Sequence, residues 1–393
     1  MDLSNQIKQY GNPDALIDCN DGPRYAIWGY KDYISLDSSG LYINDNAISG
    51  DSLSILQSTL EEWCDDNRII KAVGFISYNF NRYLYPHLSL KPIDSGLPYL
   101  WFGVPDRIES YTSTTGCDIS DRDELSLKSD FMSINRYSKK IEIIKNELKE
   151  GNTYQINFTT DRIFKPLNNP LQTYLSVSRA ACPKFGYYIN TGSYSVLSFS
   201  PERFIKVKNS MIESWPMKGT RGRSMDKEED INLIENLRSS RKDFSEHLMI
   251  VDLLRNDIGK IAKNMTVNVD PIFQIDSFPT VHQMVSRVYA TLEDGTRFID
   301  IIKAMFPSGS VTGAPKESSM DIINRIEDYS RGIYTGAIGH FTDINDYDFN
   351  IAIRTMVSDN VSAKYCAGGG IVWESNTQDE YSEIHIKSKI IDR

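Results

Sequence analysis

The stretch AKYCAGGGIVWESNTQDEYSEIHIKSK (residues 363–389) changes its period midway, and that change sets the fold class. Ala363 to Trp373 reads as a strand, and Gln378 to Ile391 reads as an amphipathic helix. Gly368, Gly369 and Gly370 fall inside the strand. Glycine weakens a strand interior, so such a run marks the close approach of a ligand or another backbone. The same two periods recur in groups toward the N-terminus. Phe349 to Val357, Ile333 to Phe341, Met211 to Trp215 and Tyr194 to Phe199 are strand-like. In Tyr154 to Thr159 apolar residues alternate with polar ones, as in a half-buried strand. Lys316 to Glu327 is an amphipathic helix. Ser245 to Ala262 is helical and apolar round its MIVDLL middle, so it is expected to be buried. Tyr137, Ile141, Ile144 and Leu148 form one helical face, with Gly151 just past its end. Clustered strands with helices between the groups predict an α+β fold rather than a regular βαβ repeat.

The chain has 393 residues and no internal repeat, so it holds roughly two or three domains or one large one. A polar stretch from Glu109 to Asp130 reads as a linker or long surface loop, dividing residues 1–120 from 121–393. A composition of 40% hydrophobic and 24% charged residues excludes a disordered or collagen-like chain. The net charge of −10 argues against nonspecific nucleic-acid binding but leaves room for a local basic pocket. Five scattered cysteines without a C-x-x-C pair suit a reducing compartment and provide no zinc framework. No signal peptide and no apolar run near 18 residues is visible, so no membrane partner and a cytoplasmic location are expected.

Four segments carry candidate chemistry. Trp215 to Arg223 (WPMKGTRGR) reads as a strand entering a cationic, glycine-containing loop, either an anion cradle or an exposed basic turn. Ser245-Glu246-His247 opens the apolar helix and puts Glu246 on a face with Met249, Ile250 and Leu253. A carboxylate there is costly unless paired or metal-bound, or it complements the helix dipole. Glu380, Glu383 and Lys387 share a helical face, a pattern of hard oxygen ligands suited to Mg²⁺. The bland reading is a capping box, Thr377-x-x-Glu380, beside a surface Glu383–Lys387 pair. FPSGSVTGAPK (306–316) lacks phosphate-loop spacing and reads as a glycine-rich turn starting a helix at Pro315. There is no G-x-S-x-G, H-E-x-x-H or G-x-C-x-G.

Nine runs, in order, resemble the chorismate-utilising enzymes: GNTYQINFT (151–159), SPERF (200–204), PMKGTRGR (216–223), SEHLMIVDLLRNDIGKI (245–261), VHQMVS (281–286), FPSGSVTGAPK (306–316), RGIYTGAIG (331–339), NIAIRT (350–355) and AGGGIVWESNTQDEYSEIHIKSK (367–389). The first 110 residues match more loosely, chiefly at VGFISYNFNR (73–82). The resemblance implies two large antiparallel β-sheets packed as a sandwich with helices outside. Residues 1–120 would pack into the same fold, and 121–393 would form the chorismate-binding catalytic domain.

The resemblance further implies chorismate as substrate and Mg²⁺ as cofactor. Glu246 and Glu383 would ligate the metal, with Glu380 and Asp243 close by. Tyr334, Arg354 and the backbone N–H groups of Gly368, Gly369 and Gly370 would hold the enolpyruvyl carboxylate. Gly219, Thr220, His282 and Lys387 would complete the pocket, and Glu202 would be the general acid. Hydroxylating members resemble one another in a water-activating lysine where this chain has Gln155. Lys218 stands where anthranilate synthases have alanine and is similar to the nucleophilic lysine of aminodeoxychorismate synthases. The implied reaction is amination of chorismate to 4-amino-4-deoxychorismate, on the way to p-aminobenzoate and folate. Without G-x-C-x-G, the ammonia is expected from a glutamine amidotransferase subunit or from solution. The alternatives are anthranilate synthase component I and a non-catalytic chorismate-binding subunit. Ser308 and Met217 depart from the family's common residues, and no tryptophan-effector pattern is evident.

Overall fold

The strand Arg24–Leu36, thirteen residues long, is where two halves of a large sheet meet. It pairs with Leu100–Tyr111 from Arg24↔Tyr111 to Leu36↔Leu100, while its first residues also pair with Ala15–Cys19. From Ala15–Cys19 one half continues through Phe185–Asn190, Tyr194–Ser200, Thr355–Asp359, Ala363–Ile371 and Gln155–Phe164. From Leu100–Tyr111 the other half continues through Ala72–Ile76, Ala337–Asp343, Asp346–Ile351, Arg203–Lys208, Met211–Trp215 and Val288–Thr291. Every one of these pairings is antiparallel. The structure is a computed structural model that describes residues 2–392 apart from Asn20, Asp21, Pro23, Ser95, Asp121 and 278–280.

The burial pattern explains the layering. Ile17, Phe75, Trp101, Tyr187, Ile189, Val196 and Ile338 pack into one apolar cluster between the two halves. A second cluster covers one outer face, with Leu56, Leu60, Ile250, Leu254, Ile258 and Phe298 from the helices Ser52–Cys64, Arg241–Gly259 and Phe298–Met305. A third covers the other outer face, with Tyr137, Ile141, Tyr174, Ile323 and Ile384 from the helices Ile134–Lys149, Pro170–Ala181, Lys316–Ile326 and Thr377–Ser388. This is the expected α+β sandwich with helices outside. Its two sheets form one continuous ladder through Arg24–Leu36. Ala72–Ile76 is buried on both faces, which is why its sequence AVGFI does not alternate.

Several local expectations are corrected. The run from Phe349 to Val357 is two strands, Asp346–Ile351 and Thr355–Asp359, lying in different halves of the sheet. The strand expected from Ile333 begins only at Ala337, because Thr335 takes a left-handed turn at φ 62°. The cationic loop after Trp215 is itself a strand, Met217–Gly222, in a separate three-stranded sheet with Val281–Val285 and Gln274–Ser277. The helix Arg241–Gly259 is buried along one face, at Ile250, Val251, Leu254 and Ile258, while Leu248 is exposed. The capping box is absent: Asn376 caps Thr377–Ser388 by accepting from the N–H groups of Gln378 and Asp379. Pro315 does open the helix Lys316–Ile326, as the turn sequence predicts.

Candidate active site

Two places where the chain crosses between the halves of the sheet lie side by side. Glu202 lies between Tyr194–Ser200 and Arg203–Lys208. Arg354 lies between Asp346–Ile351 and Thr355–Asp359, in a left-handed conformation at φ 51°. The crossings are laced together. The Phe199 N–H donates to the Arg354 carbonyl at 3.1 Å, and the Ile351 N–H donates to the Glu202 carbonyl at 3.0 Å. The Ser200 hydroxyl donates to the Ile351 carbonyl at 2.6 Å. Strained or irregular backbone at adjoining crossings places functional side chains where neither regular sheet would.

Burial pushes the Glu202 carboxyl up to about 7, partly offset by the Lys218 ammonium and a hydrogen bond from Ser310. Arg354 is largely enclosed, which lowers its pKa, and among the described residues its guanidinium has no carboxylate acting on it. An enclosed guanidinium without a carboxylate is a ready receptor for an anionic ligand. Tyr334 is buried on the turn whose Thr335 N–H bonds the carbonyl of Ala352, two residues before Arg354, at 2.8 Å. That turn is fastened by Arg331, which donates to both oxygens of Glu327 and to the carbonyls of Val311 and Asn157.

The three glycines form the floor of the site, paired as Gly368↔Thr159, Gly369↔Phe158 and Gly370↔Asn157. A Cβ on Gly369 would lie 3.1 Å from Glu380 Oε2 and 3.9 Å from both Glu383 Oε1 and Lys387 Nζ. A Cβ on Gly370 would lie 2.7 Å from Gln155 Nε2 and 3.2 Å from Lys218 Nζ. Gly369 therefore leaves room for Glu380, Glu383 and Lys387, and Gly370 for Gln155 and Lys218. The Gln155 amide is fully buried, yet neither Nε2 nor Oε1 has a hydrogen-bond partner. Lys218 forms no ion pair within 4 Å among the described residues, although its charge acts on Glu202, Glu246 and Glu383.

The acidic side of the site comes from two helices. Burial raises the Glu246 carboxyl, which keeps one buried oxygen, Oε1, without a hydrogen bond. Burial also raises Glu380, whose Oε1 accepts from Ser375 Oγ at 2.7 Å. Lys387 holds Glu383 below the ordinary range through a 2.7 Å ion pair and donates to the Gly368 carbonyl at 2.8 Å. Among the described residues, no three His, Cys, Asp or Glu groups stand close enough to hold a metal as they are.

Other anticipated residues sit at the margin. Gly219 takes φ +67° and packs on Asp243, which pairs with Arg221 at 2.8 Å. Thr220 is exposed and accepts from Gln283 at 3.4 Å. His282 is fully buried between Asp230 at 2.9 Å and Ser277 at 2.8 Å, so both ring nitrogens are already engaged. Sequence reasoning missed Ser310 and Lys242. Lys242 Nζ stands 3.9 Å from Glu246 Oε1 and 3.6 Å from Glu380 Oε1. Its i,i+4 spacing to Glu246 was the available signal.

The chorismate binding enzyme family matches residues 15–393. The chain belongs to that family. Among its members, anthranilate synthase component 1 of Saccharolobus solfataricus is 32% identical over 81% of this chain and 79% of that protein. Aminodeoxychorismate synthase component 1 of Escherichia coli is 37% identical over 67% of this chain, and the matched region spans only 59% of that protein. Anthranilate synthase component I from Streptococcus pneumoniae superposes with a TM-score of 0.81 and 26% identity, covering 94% of this chain and 92% of that one. Among the described residues no helix of this family member is long and apolar enough to cross a membrane.

Proposed function

We propose that this chorismate-utilising enzyme is component I of an aminodeoxychorismate synthase, aminating chorismate at C4 with ammonia from a glutaminase partner. One observation carries the reading: Lys218 reaches the glycine floor with no carboxylate partner, beside the Gln155 amide. A glutamine cannot serve as the base that activates water, which disfavours a hydroxylating reaction. An unpaired amine at the ring can serve as a nucleophile.

In this mechanism Arg354 and Tyr334 hold the enolpyruvyl carboxylate, with the N–H groups of Gly368 to Gly370. Gly219, Thr220, His282 and Lys387 shape the pocket. Reacting as its free amine, Lys218 adds through Nζ to ring C2, the two conjugated ring double bonds both shift toward C4, and the C4–O bond breaks. Glu202, holding its proton near neutrality, protonates the departing hydroxyl, which leaves as water. Ammonia then adds at C4, both double bonds shift back, the C2–N bond to Lys218 breaks, and the new C4 ammonium returns a proton to Glu202. The net change is chorismate plus ammonia to 4-amino-4-deoxychorismate plus water.

Mg²⁺ is the cofactor in this reading, held by Glu246 and Glu383 with Glu380 beside them. The unbonded buried oxygen of Glu246 and the cation already standing between Glu246 and Glu380 fit a divalent ion. The ion would neutralise the ring carboxylate of the substrate.

The test is product mass after incubation with chorismate, Mg²⁺ and ammonium. A product retaining the enolpyruvyl group supports the reading, whereas anthranilate with pyruvate would assign the chain to the anthranilate branch, which the Saccharolobus relative favours. Lys218→Ala is expected to bind chorismate but lose amination by at least about a hundredfold, the scale of losing a covalent nucleophile. Intact-protein mass should detect an adduct on wild type and not on the variant. Wild-type amination by Lys218→Ala without added amine would remove the covalent role.

A further inference from the structure

Lys242 lies on the first turn of Arg241–Gly259, four residues before Glu246, and faces two carboxylates from different helices. Its Nζ is 3.9 Å from Glu246 Oε1 and 3.6 Å from Glu380 Oε1. Both distances exceed a hydrogen bond, so the ammonium balances charge without satisfying Glu246 Oε1, which remains buried and unbonded. Glu380 differs: its Oε1 is already fixed by Ser375. The two carboxylates are mostly buried, with side-chain exposures of 15% and 7%, whereas Lys242 is 51% exposed. The pair of acids is therefore rigidly placed by the fold, while the cation compensating them is on a long, solvent-accessible stem.

Beside this ammonium is a cavity of about 720 Å³ lined by Tyr154, Lys242, Glu246, Met249, Trp373 and Glu374. It offers Lys242 room to swing away, and Glu374 in its lining offers a third carboxylate. We propose that Lys242 is a displaceable internal counter-ion: it neutralises Glu246 and Glu380 when no divalent cation is bound, and it leaves into this cavity when one binds. The inference rests on the metal reading given above. It goes beyond that reading by giving the chain a residue that competes with the ion and sets its affinity.

The consequence is opposite to that of removing a ligand. A substitution that deletes the competing charge strengthens ion binding, because the divalent cation no longer has to displace an ammonium. Lys242→Gln should bind Mn²⁺ about fivefold more tightly than wild type, the scale of a half-exposed ion pair. Lys242→Arg should stay near the wild-type affinity, since it retains the charge. Glu246→Gln should bind Mn²⁺ more weakly. Titration calorimetry and the Mn²⁺ electron-paramagnetic signal of the whole chain read these affinities without any turnover. Mn²⁺ binding that is present in wild type, weakened by Glu246→Gln and unmoved or weakened by Lys242→Gln would overturn the counter-ion proposal alone. Absence of Mn²⁺ binding in wild type and in both Lys242 variants would overturn the metal reading and the proposal together. Should Lys242→Gln fail to fold, the same sign is read from Lys242→Met, with Lys242→Arg as the charge-retaining control.

Discussion

Glu202 illustrates how one side chain acquires a function from its position. It lies on a crossing between two halves of a sheet, where the chain is too confined for water to solvate a carboxylate. Burial is the largest influence on its proton, and the Lys218 charge opposes it without prevailing. The group is thus poised to donate near neutrality, where general acids work best. The turnover rate should fall as pH rises past about 7, where Glu202 loses its proton. Glu202→Gln should abolish that limb together with most of the activity, as read from a kcat profile. Stability follows the same linkage. The folded chain keeps a proton that the unfolded chain releases above 4.5, so this contribution is complete below 4.5 and lost as pH rises to about 7. The full span is up to about 3 kcal/mol, and urea titrations of Glu202→Gln should show a flatter pH dependence than wild type. An unchanged pH dependence would mean that Glu202 titrates as an ordinary surface acid.

At the scale of the element, the glycine strand Ala363–Ile371 separates packing from chemistry within three residues. A Cβ on Gly368 would meet the Phe158 carbonyl at 2.2 Å and the Thr159 Cα at 2.7 Å, both backbone atoms that cannot move aside. A Cβ on Gly370 would instead meet the ends of the Gln155 and Lys218 side chains. Gly368→Ala should therefore lower the melting temperature by several degrees, an effect of a few kcal/mol from overpacking. Gly370→Ala should melt near wild type yet lose at least about tenfold in kcat/KM, since small misplacements of reacting groups are expensive. Equal melting losses in both variants would contradict this division. The glycine run was legible in the sequence because three glycines have no reason to occupy a strand interior otherwise. Glu380 and Glu383 were legible as a shared helical face, though the sequence also permitted a capping box that Asn376 makes unnecessary. The break at Arg354 was not legible. FNIAI and TMVSD are both strand-like, and only the exchange of pairing partners from Arg203–Lys208 to Tyr194–Ser200 imposes the left-handed residue between them. The engagement of His282 was not legible for a related reason: its partner Asp230 is 52 residues away, beyond any local pattern.

For the whole molecule, the question is how a chain of net charge −10 handles a dianionic substrate and, in the proposed amination, where ammonia originates. Overall charge repels the substrate weakly at long range, while cations in a low-dielectric cleft act strongly at short range. Arg354, Lys218 and Lys387 supply that local field. Lys218 and Lys387 act on the same two carboxyls, Glu202 and Glu383, although 169 residues separate them in the sequence. The environments of four thiols work the other way. Burial pushes Cys19 and Cys64 up to about 12 and raises Cys117 and Cys366 as well. A thiol that cleaves glutamine needs the reverse, a depressed pKa beside a cation or base. Cys182 is exposed, but it terminates the helix Pro170–Ala181 in a left-handed conformation, and its Sγ donates to the Arg179 carbonyl at 3.5 Å. Cys19, Cys64, Cys117 and Cys366 are therefore not in a nucleophile's environment. The purified chain should therefore turn over chorismate with ammonium and not with glutamine, and glutamine use should appear only on addition of a glutaminase subunit. Coupled measurement of glutamate release checks this directly. Blocking all five thiols should leave the ammonium-dependent rate intact, provided that the modified chain keeps its melting temperature. Glutamate formed by the chain alone, and lost on thiol modification, would place amide hydrolysis within it and refute a separate source of ammonia.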